Sequence, residues 1–96
     1  MSKKGYWMGH IEVHDTEAYA RYAEIAGRAV AEHGGEFLVR AGRYRVMEGT
    51  ERPRHVLSCF PSFDAAVACY ESELYQEALK FALPASTRDL VIVEGV

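Results

Sequence analysis

Hydrophobic and polar positions alternate, then recur at spacings of three and four, then alternate again, and these changes of period divide the chain into elements. From Tyr6 to Val13 the period is two. Trp7, Ile11 and Val13 fall on one face, and Tyr6, Met8, His10 and Glu12 on the other. Both faces carry bulk, so neither is expected to lie simply open to water. Asp15 then stands where an N-cap carboxylate accepts from the first free amides of a helix. Beyond it, Tyr19, Tyr22, Ala23, Ala26 and Val30 make one apolar stripe with helical spacing. Glu17, Arg21, Glu24, Arg28 and Glu32 lie opposite and pair at i,i+3 or i,i+4 as a solvated face. Gly34-Gly35 ends the helix, because the left-handed C′ position suits glycine.

Alternation returns with Phe37 and Val39 against Leu38 and Arg40. Past Ala41-Gly42 the apolar set is Tyr44 and Val46, so the parity slips by one residue. A tight hairpin or one long strand with a bulge would each explain the slip. The bulged strand is the expectation, since Ala-Gly is weak hairpin chemistry and a four-strand sheet needs the two halves as one. Gly49 to Pro53 reads as a polar turn, and Arg54 to Phe60 as a third strand placed centrally. Pro61 stops it and Ser62 caps the next helix. There Ala65, Ala66, Ala68 and Cys69 permit close approach, with Phe63, Val67 and Tyr70 as anchors. Ser72 starts a further helical piece, Glu73 to Leu83, with Leu74, Ala78 and Phe81 inward. Pro84 ends it, Ala85 to Thr87 is a loop, and Asp89 to Glu94 is the last strand. The Leu90 to Val93 run is apolar on both faces, as expected where one face meets helices and the other a second subunit.

The order strand, helix, strand, strand, helix, strand within 96 residues predicts one domain over residues 1–96. Its class is α+β: a ferredoxin-like βαββαβ sandwich with a four-stranded antiparallel sheet. A chain this short buries only roughly 60–65% of its unfolded surface, so a homodimer formed through the sheet face would add useful burial. Composition changes this picture little, since 49% hydrophobic and 26% charged residues are ordinary for a soluble protein. The net charge of −3 argues against nucleic acid as a partner. Arg40, Arg43, Arg45, Arg52 and Arg54 come closest to a basic face, but Glu48 and Glu51 interrupt them, which reads as a solvated strand edge and loop. No apolar run nears the roughly 20 residues that span a bilayer, so no membrane is expected. Met1-Ser2-Lys3-Lys4 leads straight into a strand without a signal-peptide core, which makes a cytoplasmic location the expectation. Cys59 and Cys69 form no C-x-x-C pair and read as packing residues.

Candidate chemistry is sparse. His10, His14, His33 and His55 show no metal-ligand spacing, and neither a metal nor any other cofactor is expected. His14 and His33 flank the first helix as surface residues. His10 and His55 sit on strands that can be neighbours, and either would suit a general base near neutral pH. Tyr19 and Tyr22 on the first helix, and Tyr70 and Tyr75 in the second helical region, offer hydroxyls that orient a ligand carbonyl or carboxylate, and Arg40 offers a bidentate clamp for a small acid. Together these would line a small-molecule pocket between helices and sheet, with Tyr19, Tyr22, Arg40 and Tyr70 as the leading candidates. There is no nucleophile elbow, P-loop or dinucleotide fingerprint.

Several segments in order fit one pattern: Gly5-Tyr6-Trp7, Asp15 with Tyr19, Gly34-Gly35, Phe37 to Gly42, Val46-Met47-Glu48-Gly49, Arg54, Phe60-Pro61-Ser62, Tyr70-Glu71-Ser72, Tyr75-Gln76 and Val93-Glu94-Gly95-Val96. Over essentially its whole length the chain resembles the bacterial family called domain of unknown function 1330. The resemblance implies a dimeric α/β barrel, in which two four-stranded sheets pack face to face with the helices outside. Cousins in that superfamily include cofactor-free monooxygenases, muconolactone isomerases and haem-handling enzymes. The family itself has no settled activity, so the resemblance implies a fold and not a reaction. By analogy with these cousins the expectation is a cofactor-independent isomerase or monooxygenase of a small oxygenated compound, with a non-catalytic binding or accessory module as the alternative. One departure stands out: the family usually carries an acidic residue before Phe-Pro-Ser, and Cys59 stands there instead. Any role that carboxylate has in the family is in doubt for this chain.

Overall fold

The computed structural model describes residues 3–96; Met1 and Ser2 of the basic opening lie outside them. Its elements are β1 (Gly5–Val13), α1 (Thr16–Glu32), β2 (Glu36–Arg40), β3 (Arg54–Phe60), α2 (Phe63–Glu71), α3 (Glu73–Ala85) and β4 (Ser86–Glu94). The four strands form one sheet in the order β2-β3-β1-β4, with every neighbouring pair antiparallel. This is the ferredoxin-like βαββαβ arrangement, its second helix broken at Ser72.

Local chemistry sets the helix ends. The Ala18 amide donates to Asp15 Oδ1 at 3.1 Å and the Ala65 amide to Ser62 Oγ at 3.0 Å. Ser72 works twice: its hydroxyl donates to the Cys69 carbonyl at 2.7 Å and accepts from the Tyr75 amide at 3.2 Å. One residue thus closes α2 and opens α3. Gly34 takes the left-handed conformation at φ 74°, which lets the chain leave α1 and turn into β2.

Trp7 anchors the core. Its ring lies 5.1 Å from Phe60 and 4.8 Å from Tyr75, and its indole N–H donates to the Ala66 carbonyl at 3.0 Å. Ala66, Cys69, Ala78 and Ala82 are fully buried, so α2 and α3 come close to the sheet through small side chains. Val30, Tyr22 and Ala26 bring α1 onto the same cluster. The molecule is a slab only 16 Å deep, one helical layer on one sheet. The opposite sheet face, carrying Met8, Val91 and Val93, is exposed.

Four expectations need correction. The long bulged strand does not form, and neither does the hairpin. A bulge exists, but it lies between Phe37 and Val39, and β2 stops at Arg40. Ala41 then adopts φ 57° while its amide donates to the His55 carbonyl at 2.9 Å, and residues 41–53 run on as a loop. In α2 Ala66 and Cys69 are buried and Tyr70 packs against Trp7 as expected, but Phe63 in the first turn is exposed and anchors nothing. In α3 Tyr75, Leu79 and Ala82 join Ala78 as the buried face, while Leu74 and Phe81 pack only at its margin. Finally, Ser86 and Thr87 belong to β4 and not to a loop, because they pair with Val13 and Glu12 at the end of β1. Pro84 lies inside the last turn of α3.

A left-handed alanine costs about 1–2 kcal/mol, of which a glycine would recover part after its own greater chain entropy. Ala41→Gly is therefore expected to stabilise the fold by about 0.5–1 kcal/mol, read from the urea midpoint at unchanged slope. A lower midpoint would show that the Ala41 turn is unstrained.

Candidate functional site

A cavity lies between α1 and the helix-side face of the sheet, with a volume of about 40 Å³. Its floor is the inward set of three strands: Ile11 and Gly9 of β1, Val56 of β3 and Leu90 of β4. The pairing places these in rows. Gly9 lies between Val56 and Leu90, and Ile11 between Arg54 and Arg88. Glycine at the middle of one row leaves the floor open where a side chain would stand. α1 supplies the roof through Tyr19, Tyr22, Ala23, Ala26 and Val30.

Polar groups enter this apolar space at defined points. The Tyr22 and Tyr75 hydroxyls lie 2.8 Å apart, and Arg88 Nη2 donates to both, at 3.0 and 3.1 Å. Arg88 also lies 4.8 Å from the Tyr22 ring centre, and Arg54 lies 5.2 Å from that of Tyr19. Two hydroxyl protons serve this cluster and one is spent between the tyrosines, so the other remains to be donated. Tyr22 lines the cavity while Tyr75 stands fully buried behind it. Arg40 lies at the mouth, 4.2 Å over the Phe37 ring. The bulge accounts for its position. One extra residue on β2 sets both Phe37 and Arg40 opposite inward residues of β3, Ser58 and Val56, where strict alternation would turn Arg40 outward. Among the described residues, buried side-chain atoms without a hydrogen-bond partner include Arg54 Nε, Ser58 Oγ and Arg88 Nη1, all on residues lining this cavity.

His10 and His55 come together as directly paired residues of β1 and β3, Nδ1 to Nδ1 at 2.8 Å. One ring carries the proton on Nδ1 and the other accepts it. They stand on the outer sheet face, because they alternate with Ile11 and Arg54. The 41–53 loop reaches them: the Tyr44 ring is 4.9 Å from that of His55, and Arg52 pairs with Asp89 of β4 at 3.2 Å. The structure therefore assembles two separate constellations, the histidine pair on one face and Tyr19, Tyr22 and Arg40 on the other. Tyr70 joins neither; it packs edge-on against Trp7 at 6.1 Å and beside Tyr75. Among the described residues no group of three or more His, Cys, Asp or Glu could hold a metal ion, and no helix is long and apolar enough to cross a membrane.

Sequence reasoning misses Arg54, Ser58 and Arg88. A signal existed for two of them. Arg54, Val56, Ser58 and Phe60 share a face of β3 by simple alternation, and the buried Phe60 fixes which face that is. Arg88 carries no such signal, because the polar residues before it read as loop from sequence.

The family model for the domain of unknown function called DUF1330 matches residues 4–96. No curated protein matches the chain. Several solved structures share its fold, among them the following three. A protein of unknown function from Rhodopseudomonas palustris is 17% identical, with all of this chain and 85% of that one superposed at a TM-score of 0.80. A dimeric ferredoxin-like protein of unknown function from Thermobifida fusca is 13% identical over 98% of this chain and 92% of that one, TM-score 0.64. SnoaB, a cofactor-independent oxygenase from Streptomyces nogalater, is 12% identical over 96% and 92%, TM-score 0.54.

Burial around the site makes its acids reluctant to ionise. Desolvation, with the neighbouring Tyr22 second, pushes the Tyr75 hydroxyl far above its ordinary value. Tyr19 moves the same way for the same two reasons, against the opposing pull of Arg88 and Arg54. In the core under α2, burial and then the charge of Glu32 push the Cys69 thiol up to about 12. All three groups hold their protons more tightly in the fold than in the unfolded chain. Their contribution is thus complete below the ordinary thiol value of 9.0 and is lost as pH rises toward 12. The melting temperature is expected to stay level through neutral pH and to fall steadily above about pH 9, by up to about 1.4 kcal/mol of stability per pH unit for each group involved. Cys69→Ala should make the first part of that fall shallower; an unchanged slope would remove Cys69 from it.

Proposed function

The chain belongs to the DUF1330 family, and from that premise we propose that it is a homodimer, paired through its exposed sheet face, that binds a small oxygenated organic compound in the α1–sheet cavity and stabilises its enolate form. Stabilising an enolate is a step that isomerases and cofactor-independent oxygenases have in common. The observation that carries this reading is the Tyr22–Tyr75–Arg88 cluster: a free hydroxyl proton backed by a guanidinium, fixed at the wall of a cavity lined mostly by apolar side chains. Such preorganised donors stabilise negative charge on oxygen far better than water does, because they need no reorganisation. The oxygenase among the structures of this fold supports the same class of chemistry.

A binding module without turnover is the second reading. One observation favours it: the residues lining the cavity include no carboxylate and no imidazole to take a proton. In the catalytic reading the substrate's proton leaves to water at the mouth, near Arg40, so a substrate acidic at carbon is required. His10 and His55, on the other face, would then serve the pairing of subunits and not the chemistry.

The dimer rests on the outer sheet face. Met8, Val39, Val91 and Val93 are each 38–54% exposed, a concentration of large apolar side chains unusual for a surface without a partner. A second copy placed on it by a two-fold axis would complete the sheet's missing layer.

Light scattering at micromolar protein is expected to give the dimer mass, and Val91→Lys the monomer mass. A monomeric parent protein would sink the pairing. For the chemistry, acetylacetone in D₂O, followed by NMR, should exchange its central protons faster with the protein than with buffer alone, and Tyr22→Phe should lose most of that gain. Binding without accelerated exchange would leave the module reading.

A further inference from the structure

Three cationic side chains, Arg40, Arg54 and Arg88, line one cavity that has no acidic residue in its walls. Arg54 and Arg88 are the informative pair. They stand on β3 and β4, on either side of Ile11 in a single row across the sheet. Each is directed to the helix side, each carries a buried nitrogen without a hydrogen-bond partner, and neither forms an ion pair among the described residues. Arg52, by contrast, pairs with Asp89 on the outer face. Two half-buried guanidiniums flanking the same residue repel each other and have given up part of their hydration, a cost that an anion between them would offset. The tyrosine contacts do not supply one, since burial opposes the ionisation of the Tyr19 and Tyr75 hydroxyls.

Resting on the reading that this cavity is the ligand site, we infer that its ligand is a small monocarboxylate, seated by its carboxylate between Arg54 and Arg88 with the apolar body toward Val56, Leu90 and Ala26. Guanidinium forks match a carboxylate's geometry and charge. The remaining walls are aliphatic and aromatic, which disfavours a tetrahedral anion such as phosphate: its other oxygens would face carbon. Size points the same way. A cavity of about 40 Å³ has room for about three waters, the bulk of a carboxylate with a short or flat apolar body. Arg40 at the mouth adds positive charge along the entry path.

The test is calorimetric titration of the purified protein with acetate, butyrate and benzoate, against butyramide as the neutral analogue and inorganic phosphate as the alternative anion. Butyrate or benzoate should bind at least about tenfold more tightly than butyramide, with phosphate weaker still, and the preference over the amide should collapse in Arg54→Gln. Arg88→Gln should do the same; because Arg88 also holds two tyrosines and its loss can unfold the chain, Arg54→Gln, replacing a guanidinium that lies over the Tyr19 ring, is the decisive variant. Butyramide binding as well as butyrate would overturn the carboxylate assignment and leave the cavity as a site for neutral compounds. Phosphate binding as well as the carboxylates would reduce the site to a general anion trap, which also overturns it. If none of the small molecules binds, the cavity is no ligand site, and both this inference and the reading beneath it fall.

Discussion

Everything in this molecule is organised by the alternation of β1. It is the one strand paired along nearly its whole length on both sides, to β3 and to β4, so its parity fixes the parity of its neighbours. Trp7, Gly9 and Ile11 face the helices; Met8, His10 and Glu12 face away. A one-residue slip would exchange these sets and place a histidine and a glutamate under α1. Trp7 prevents it. Its indole N–H reaches one backbone carbonyl of α2, and its ring packs against Phe60 and Tyr75. No residue one position away could satisfy both the hydrogen bond and the packing. The row structure of the cavity, with glycine between two aliphatic residues and isoleucine between two arginines, follows from that register alone.

The features legible in the sequence are those set within a few residues. Asp15, Ser62 and Ser72 cap helices because a side-chain oxygen reaches an amide three positions on, and nothing distant is required. The stripe of α1 was visible for the same reason. Features decided by pairing were not. The parity slip read at Ala41-Gly42 falls where β2 has already ended; the bulge that does form sits at Leu38, and its place depends on how β2 meets β3. Ser86 and Thr87 looked like loop because they are polar and follow a proline; they are strand because Val13 and Glu12 lie opposite them.

The candidate site was legible in the same partial way. Tyr19 and Tyr22 were found because they lie on the helical stripe, and Arg40 because it stands beside the slip. Tyr70 was grouped with them by residue type, whereas its place on α2 puts it against Trp7, away from the cavity. Arg54 and Arg88 were hidden by a sound prior: arginines in a strand are more often at solvent than inside. An arginine run interrupted by glutamates read as a wet edge. Only the sheet order shows that Arg54 and Arg88, 34 positions apart in the chain, flank the same isoleucine.

Energetics give those two arginines their meaning. Removing a guanidinium from water costs several kcal/mol even after relaxation. Against this, a cation held over an aromatic face recovers about 0.5–2 kcal/mol, and a hydrogen bond involving a charged group about 1.5–3 kcal/mol. Arg88 has a ring and two hydroxyls and comes near to balance. Arg54 has a ring alone, with its Nε left without a partner, and does not. An aliphatic residue at Arg54 would pack against Tyr19 and Ile11 with none of that cost, as replacements of buried ionic groups commonly show. Stability is therefore a poor account of Arg54. The residue makes physical sense where its charge is put to use, in a cavity whose walls are apolar except where they present positive charge and hydroxyl protons.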